Sequence, residues 1–477
     1  MQVSEYSSFD ATALAGLVTA GEVTAAELVE SAQRACQSVN AELNAVVEVY
    51  EDPRIPQAVD PAAVFAGVPF LTKDFGAHEK GRRQWMGSRA VDDRLTATES
   101  PLARRFGRAG LISIGRSATC EFAVTATVES ARFGPTRNPW DLSRTAGGSS
   151  GGAAAAVAAG IVPMAHATDS GGSIRIPAAC CGLVGLKPTR GVIPTGTTDS
   201  VQVDFHTEFV ITRSVRDAAR ALSSFRHSSA GSPGLPTGHR KRKIAVATQA
   251  SWLPDVDPAM AAATWHTARI CGDLGHSVEE AAPQVDWPPL FEAMKDVWAL
   301  GTLDTVRAWC DLSGAARRPA GIEGLTWDLV VRAQRLTRTG ILDAISKIDG
   351  AVGTFAAFFD EYDMLLTPTL PSPPPPIGVF SPDMDLDSYY RSSVGMMEPA
   401  VAIFNATGQP AISVPAGLSD GLPVGVQIAA GSHQEPALLS LAAMLESEIG
   451  WARWTPPVHA GPHAPTPDAP DEEGHSE

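Results

Sequence analysis

The feature that most constrains this chain is the stretch at 143–190, SRTAGGSSGGAAAAVAAGIVPMAHATDSGGSIRIPAACCGLVGLKPTR. It holds two glycine-serine clusters, GGSSGG at 147–152 and SGGS at 170–173, on either side of an alanine-rich run. Ser173 follows Ser149 by 24 residues. A helix of about ten residues and a short strand carry a chain out and back over that length, so the spacing predicts that both clusters meet at one point. Glycine lets backbone N–H groups approach a ligand because no Cβ intervenes, and serine supplies hydroxyls. Two such clusters at one point suit acyl transfer at a serine, with backbone donors for an oxyanion.

Helical and strand patterns alternate around this stretch. Thr24 and Glu27 form a capping box ahead of an apolar stripe at Ala25, Leu28, Val29, Ala32 and Ala35. The run GVPFLTKDF at 67–75 reads as an apolar strand, and Ser100-Pro101 opens a helix through Arg108. Residues 191–208 read as a looser region, and 228–242 as a Pro/Gly/Ser linker. Beyond it, 243–248 is a strand, 257–274 a helix, and 284–345 a helical region carrying Trp287, Trp298, Trp309 and Trp327. Residues 363–369, 411–415 and 423–430 read as strands, and 436–447 as the last helix. From residue 455 the Pro, His and acidic composition predicts a disordered tail. The alternation predicts an α/β fold, with helices packed on a mixed sheet.

A serine nucleophile needs a base within hydrogen-bond reach. His166 lies seven residues before Ser173, and strand alternation does not aim it at the serine. His78 and His206 have no supporting motif. The GxSxG elbow of Ser-His-acid hydrolases is absent around Ser173. GGSSGG matches it formally around Ser149, but the polar SRTA before it is not the apolar strand an elbow requires. A lysine replaces the histidine in known variants, provided burial lowers its pKa by several units. Lys73, at the end of an apolar strand, fits that need, although the same position suits an edge lysine paired with Asp74. Lys187 competes, in GLVGLKPTR.

The net charge of −16 over 477 residues argues against a nucleic-acid surface. Six cysteines without regular spacing are no disulfide framework, and neither HExxH nor paired CxxC spacing appears. No cofactor or metal is expected. The N-terminus carries no secretory pattern, and no apolar run reads as a membrane span, so the expectation is a cytoplasmic protein that meets no membrane.

At this point the chain resembles the amidase signature family, whose members use a Ser–cis-Ser–Lys triad. The resemblance rests on GVPFLTKD at 67–74, TAGGSSGG at 145–152, TDSGGSIRIPAACCGLVGLKPTRG at 168–191, RSVRDAA at 213–219, DMLLTPT at 363–369 and NATGQPAISVPAGLSDGLPVGVQI at 405–428. It implies one large mixed, twisted β-sheet covered by helices on both faces. It also implies a single domain over 1–454, with its core at 61–225, a helical substrate cap at about 284–345 and a tail at 455–477. Position by position, Ser173 resembles the nucleophile, Ser149 the bridging serine on a cis peptide bond, and Lys73 the base. The backbone N–H groups of Ser170, Gly171, Gly172 and Ser173 resemble the oxyanion hole, with Asp169 and Arg175 as supports. Ala153 departs from the Ser or Glu of many relatives, and Ser170 fills a variable position of the TDxGGS turn.

Within the family, the blocks at 135–152 and 163–178 and the opening ATALAGLVTAGEVTAAELVESA look most like bacterial stand-alone amidases and the 6-aminohexanoate cyclic dimer hydrolase branch. The implied reaction is cleavage of a carboxylic amide through an acyl-enzyme. Hydrophobic, aryl, or linear or cyclic oligomer amides are the expected substrates, with esters and carbamates as further options. Specificity is expected from 192–208, 284–345 and 371–400. The expected partner is a small-molecule amide, with a homodimer open. The alternative is an A-type amidotransferase subunit that works with partners on glutamine.

Overall fold

Along the strands that follow residue 243, neighbouring side chains enter two different apolar clusters. Ile244, Met364, Leu366, Ile412 and Ile428 belong to one, and Ala245, Leu365, Ala411 and Ala429 to the other. Side chains alternate across a strand, so these strands are buried on both faces and read as near-continuous apolar runs. The helices Pro258–Asp273 and Glu435–Ile449 feed the first cluster, and Arg338–Glu361 and Pro399–Thr407 feed the second. The long helix Trp287–Trp309 contributes to both.

The structure is a computed structural model describing residues 1–195, 204–227, 240–310, 312, 318–396 and 399–461. Among the described residues, eleven strands form one sheet. In chain order they are β1 (Val46–Val49), β2 (Pro69–Lys73), β3 (Ile112–Ser117), β4 (Met164–Asp169), β5 (Val184–Lys187), β6 (Thr207–Thr212), β7 (Lys243–Val246), β8 (Ser277–Glu280), β9 (Met364–Pro368), β10 (Ala411–Ser419) and β11 (Leu422–Ala430). They lie side by side as β1-β3-β2-β4-β6-β5-β10-β11-β9-β7-β8. The pairs β2–β3, β2–β4, β7–β8 and β7–β9 are parallel and the others antiparallel, which makes the sheet mixed as expected. Among the described residues, no helix is long and apolar enough to cross a membrane.

The site depends on β2 and β4. They are parallel neighbours, with Leu71 in register with Ala165, so their C-terminal ends lie side by side. Lys73 ends β2 and Asp169 ends β4. The chain reaches β4 from Ser149 through the helix Gly151–Ala158, all of whose residues are buried. This is the out-and-back path that the 24-residue spacing predicts.

Three expectations change. Residues 191–208 were expected to be loose, yet β6 begins at Thr207 and occupies the sheet between β4 and β5. Its pattern is masked by Glu208, a carboxylate with no exposed surface. The helical region at 284–345 continues to Glu361, the end of its last helix. Residues 458–460, expected within the tail, are packed on the rest of the chain. Val458 N–H donates to Pro139 O at 3.2 Å and Ala460 N–H to Ala159 O at 2.9 Å, while Val458 and Ala460 pack on the larger cluster. Residues 462–477 and the linker at 228–239 lie outside the described residues.

Gly152 shows how tightly the central helix is seated. A Cβ there would stand 2.3 Å from Ala118 N and 2.6 Å from Ala45 O, both backbone atoms. Helix propensity alone favours Ala over Gly by about 1 kcal/mol, whereas overpacking costs about 1–3 kcal/mol. Gly152→Ala is therefore expected to lower the urea midpoint. A raised midpoint would mean that the backbone contact is not there.

Candidate active site

Burial of Lys73 sets the chemistry. The side chain has no exposed surface. Its Nζ lies 2.7 Å from Ser149 Oγ, 2.9 Å from Ser150 Oγ and 2.9 Å from Thr168 Oγ1. All three partners are hydroxyls, which donate as well as accept, so a neutral amine is as well satisfied there as an ammonium. Burial lowers the Lys73 pKa to about 7, against the pull of Cys120, Asp169 and Glu208. Lysine 73 is thus no edge residue paired with Asp74, whose carboxylate instead accepts the N–H groups of Trp85 at 2.7 Å and Gly87 at 3.0 Å.

Ser149 follows a cis peptide bond from Gly148, and its carbonyl accepts the Thr119 hydroxyl at 2.9 Å. Ser173, half-buried, lines a cavity of about 390 Å³ together with Ser149, Thr168, Ser170 and Gly171. The structure therefore brings Lys73, Ser149 and the SGGS turn to one place.

The turn is built on Asp169. One carboxylate oxygen accepts Gly172 N–H at 2.7 Å, and the other accepts Ile174 N–H at 3.2 Å. Arg175 donates to the same carboxylate through Nε and Nη2, each at 2.9 Å. Burial acts to raise this carboxyl, but Arg175 outweighs it and holds the Asp169 pKa at about 2. Arg175 also donates to Val401 O, Gln427 Oε1 and Asn405 Oδ1, at 2.8, 2.7 and 2.7 Å. Gly172 has φ near 115° and could not carry a side chain without strain. Because its N–H is spent on Asp169, Gly172 is withdrawn from the four positions expected to supply oxyanion donors.

Lys187 is equally buried, and burial with Arg175 nearby lowers its pKa to about 7. Its Nζ donates to Pro188 O at 2.9 Å. Both lysines have the depressed pKa a base needs, but only Lys73 meets the Ser149 hydroxyl. His166 is directed away from the serines. Its Nδ1 accepts Lys73 N–H at 3.3 Å, and its Nε2 pairs with Glu208 Oε2 at 2.9 Å. His206 enters the cavity, with Nδ1 3.0 Å from Ser170 Oγ and Nε2 3.3 Å from Glu208 Oε1. Burial acts to lower the His206 pKa, but Glu208 and Asp204 outweigh it and raise the pKa.

Sequence reasoning missed Ser150, Thr168, Glu208, Asn405 and Gln427. Thr168 was the most accessible of them, standing directly before Asp169 in the TDSGGS motif. The apolar end of the cavity draws on all three expected specificity regions: Phe205 from 192–208, Trp298 and Trp309 from 284–345, and Tyr389 and Tyr390 from 371–400. Residues 196–203, 311, 313–317 and 397–398 of those regions lie outside the described residues. Trp298 covers the turn, donating its indole N–H to Ser170 O at 2.8 Å and stacking on Tyr390. Trp287 instead stacks on Phe291.

A family model described as Amidase matches residues 27–439. A protein named putative amidase AmiC from Mycobacterium tuberculosis (strain ATCC 25618 / H37Rv) is 36% identical over 471 residues, which cover 94% of this chain and 96% of that protein. A 6-aminohexanoate-cyclic-dimer hydrolase from Paenarthrobacter ureafaciens is 34% identical over 479 residues, covering 94% of this chain and 96% of its own length. A solved structure of 6-aminohexanoate cyclic dimer hydrolase complexed with substrate superimposes with a TM-score of 0.86 at 31% identity, over 95% of this chain and 99% of that chain.

The Asp169–Arg175 pair is fully buried, so removing one partner strands the other charge. Loss of one member of such a pair costs about 3–5 kcal/mol. Arg175→Leu is expected to destabilise the protein by that amount in chemical denaturation, and a change under about 1 kcal/mol would show that Asp169 finds another partner.

Proposed function

This chain belongs to the amidase family and is an amide hydrolase, and on that premise we propose that Ser173 is its nucleophile, Ser149 its proton bridge and Lys73 its base. The observation that carries this reading is the 2.7 Å contact between Lys73 Nζ and Ser149 Oγ, two fully buried side chains. Ser173 Oγ attacks the amide carbonyl as its proton passes to Ser149 and the Ser149 proton passes to Lys73. The carbonyl oxygen, now negative, is received by the N–H groups of Ser170, Gly171 and Ser173. Collapse of the tetrahedral species breaks the C–N bond, and the proton returns from Lys73 through Ser149 to the departing nitrogen. An ester on Ser173 is left. Water attacks it along the same proton route and releases the carboxylic acid.

The substrate is a small amide with an aryl or extended hydrophobic acyl part, linear or cyclic. Trp298, Trp309, Phe205 and Tyr390 around the cavity support this, since apolar walls with a few convergent polar groups are the usual form of a small-molecule site. A relative named for a cyclic amide extends the class to rings. The isolated chain is expected to hydrolyse such amides without partner subunits. Turnover of a panel of anilides, simple amides and cyclic oligomer amides tests this, and turnover only after partner subunits are added would favour the amidotransferase reading.

Ser173→Ala is expected to lower kcat/KM by about 10³-fold or more, as for other serine nucleophiles. Lys73→Ala should behave alike, and a larger loss from Lys187→Ala would transfer the base to Lys187. The base works only as the neutral amine. Activity should therefore rise with pH through about 7, the Lys73 pKa, and fall below it as the amine protonates. A kcat/KM profile flat between about pH 5.5 and 8.5 would remove Lys73 from the role.

A further inference from the structure

The proposed amide mechanism leaves one polar array of the cavity unused. Ser170 Oγ is 3.0 Å from His206 Nδ1, and His206 Nε2 is 3.3 Å from Glu208 Oε1. Both Ser170 and His206 line the cavity that holds Ser173. Glu208 has no exposed surface and is held from several sides, its other oxygen accepting Ala77 N–H at 2.9 Å and pairing with His166 Nε2 at 2.9 Å. The histidine is seated as firmly. Its backbone N–H donates to Asp204 Oδ1 at 2.7 Å, and its ring packs edge-on against Phe75. The serine backbone is anchored by the Trp298 indole donating to Ser170 O at 2.8 Å.

A hydroxyl within reach of an imidazole, whose far nitrogen is held by a buried carboxylate, has the parts of a nucleophile, a base and an orienting group. We propose that Ser170, His206 and Glu208 form a second nucleophilic array, which takes acyl groups from activated esters independently of Ser173. Glu208 accepts the Nε2–H of His206, which leaves the Nδ1 lone pair to receive the Ser170 proton. The Ser170 Oγ–carbonyl bond forms as that proton moves to Nδ1. The bond to the leaving phenolate oxygen then breaks, and the phenolate takes the proton from His206. Water attacks the resulting ester with His206 as base, and the proton returns to Ser170 Oγ as the acid departs.

The scope of this array is set by what it lacks. The turn donors serve a carbonyl carried by Ser173, and the loss of one oxyanion donor costs about 10²–10³-fold in rate. Ser170 therefore acts on esters with good leaving groups and not on amides. The array does not depend on whether Ser173 is the amide nucleophile.

A fluorophosphonate probe, with the labelled peptide located by mass spectrometry, tests the proposal. Attack forms a Ser Oγ–P bond, expels fluoride and delivers the serine proton to the base. Wild-type protein should be labelled first on Ser173. The Ser173→Ala variant should be labelled on Ser170, about 10²–10³-fold more slowly. Ser173→Ala/Ser170→Ala should take no label, and Ser173→Ala/His206→Gln should react at least about 10²-fold more slowly than Ser173→Ala. Ser170→Ala removes only a half-buried hydroxyl, so it keeps the test decisive if His206→Gln does not fold. An unlabelled Ser173→Ala variant, a label on another residue, or a rate unchanged in a folded His206→Gln background would overturn the array. Failure of wild-type Ser173 to react, with Ser170 labelled, would overturn the role given to Ser173 and support the array.

Discussion

The site depends on one costly arrangement, a lysine with no exposed surface and no carboxylate touching its amine. Depressing the Lys73 pKa to about 7 shifts its preference toward the neutral form by roughly 5 kcal/mol relative to a lysine in water. A carboxylate in contact would cancel that preference, as opposite charges favour the ionised state. Three hydroxyls satisfy the amine without doing so. The surrounding acids are committed elsewhere: Asp74 to two backbone N–H groups, Asp169 to Arg175 and its own turn, and Glu208 to His166 and His206. Spending each carboxylate on another donor leaves the Lys73 amine with hydroxyl partners, as the proposed base requires.

The fold secures these commitments through its sheet. Parallel pairing of β2 with β4 aligns the end that carries Lys73 with the end that carries Thr168 and Asp169. The alanine-rich helix Gly151–Ala158 fits beneath because its side chains are small, and at Gly152 even a methyl group would strike backbone. On the far side, Arg175 joins Asp169 to Asn405 and to Gln427 on β11. The turn that carries Ser173 is therefore braced by parts of the chain more than two hundred residues away in sequence.

Glu208 joins the two polar arrays of the cavity. Through Oε2 it holds His166, which receives the Lys73 backbone N–H, and through Oε1 it holds His206, which meets Ser170. A buried carboxylate is tolerated only when it is hydrogen-bonded, and Ala77 N–H and the two histidines bind it here. Burial opposes ionisation, but the two histidines hold Glu208 well below the usual carboxylate range. His166, which strand alternation does not aim at the serine, and His206, which no motif supports, thus become parts of one network.

Local composition and spacing were enough for the alternating α/β pattern, the meeting of GGSSGG with SGGS, and the burial of Lys73 at the end of an apolar strand. These are legible because glycine, proline and apolar period act over a few residues. The tertiary structure decided what depends on distant partners. Lys73 and Lys187 both end apolar strands and both have a pKa lowered to about 7 by burial, and only the contact across 76 residues to Ser149 separates them. Strand β6 was hidden because a buried charge such as Glu208 looks like exposure until its histidine partners are in place. Gly172, one of four equivalent N–H donors in the motif, is withdrawn by Asp169 only once the turn has folded. Short-range pattern determines which groups can be catalytic, and long-range packing determines which of them are free to act.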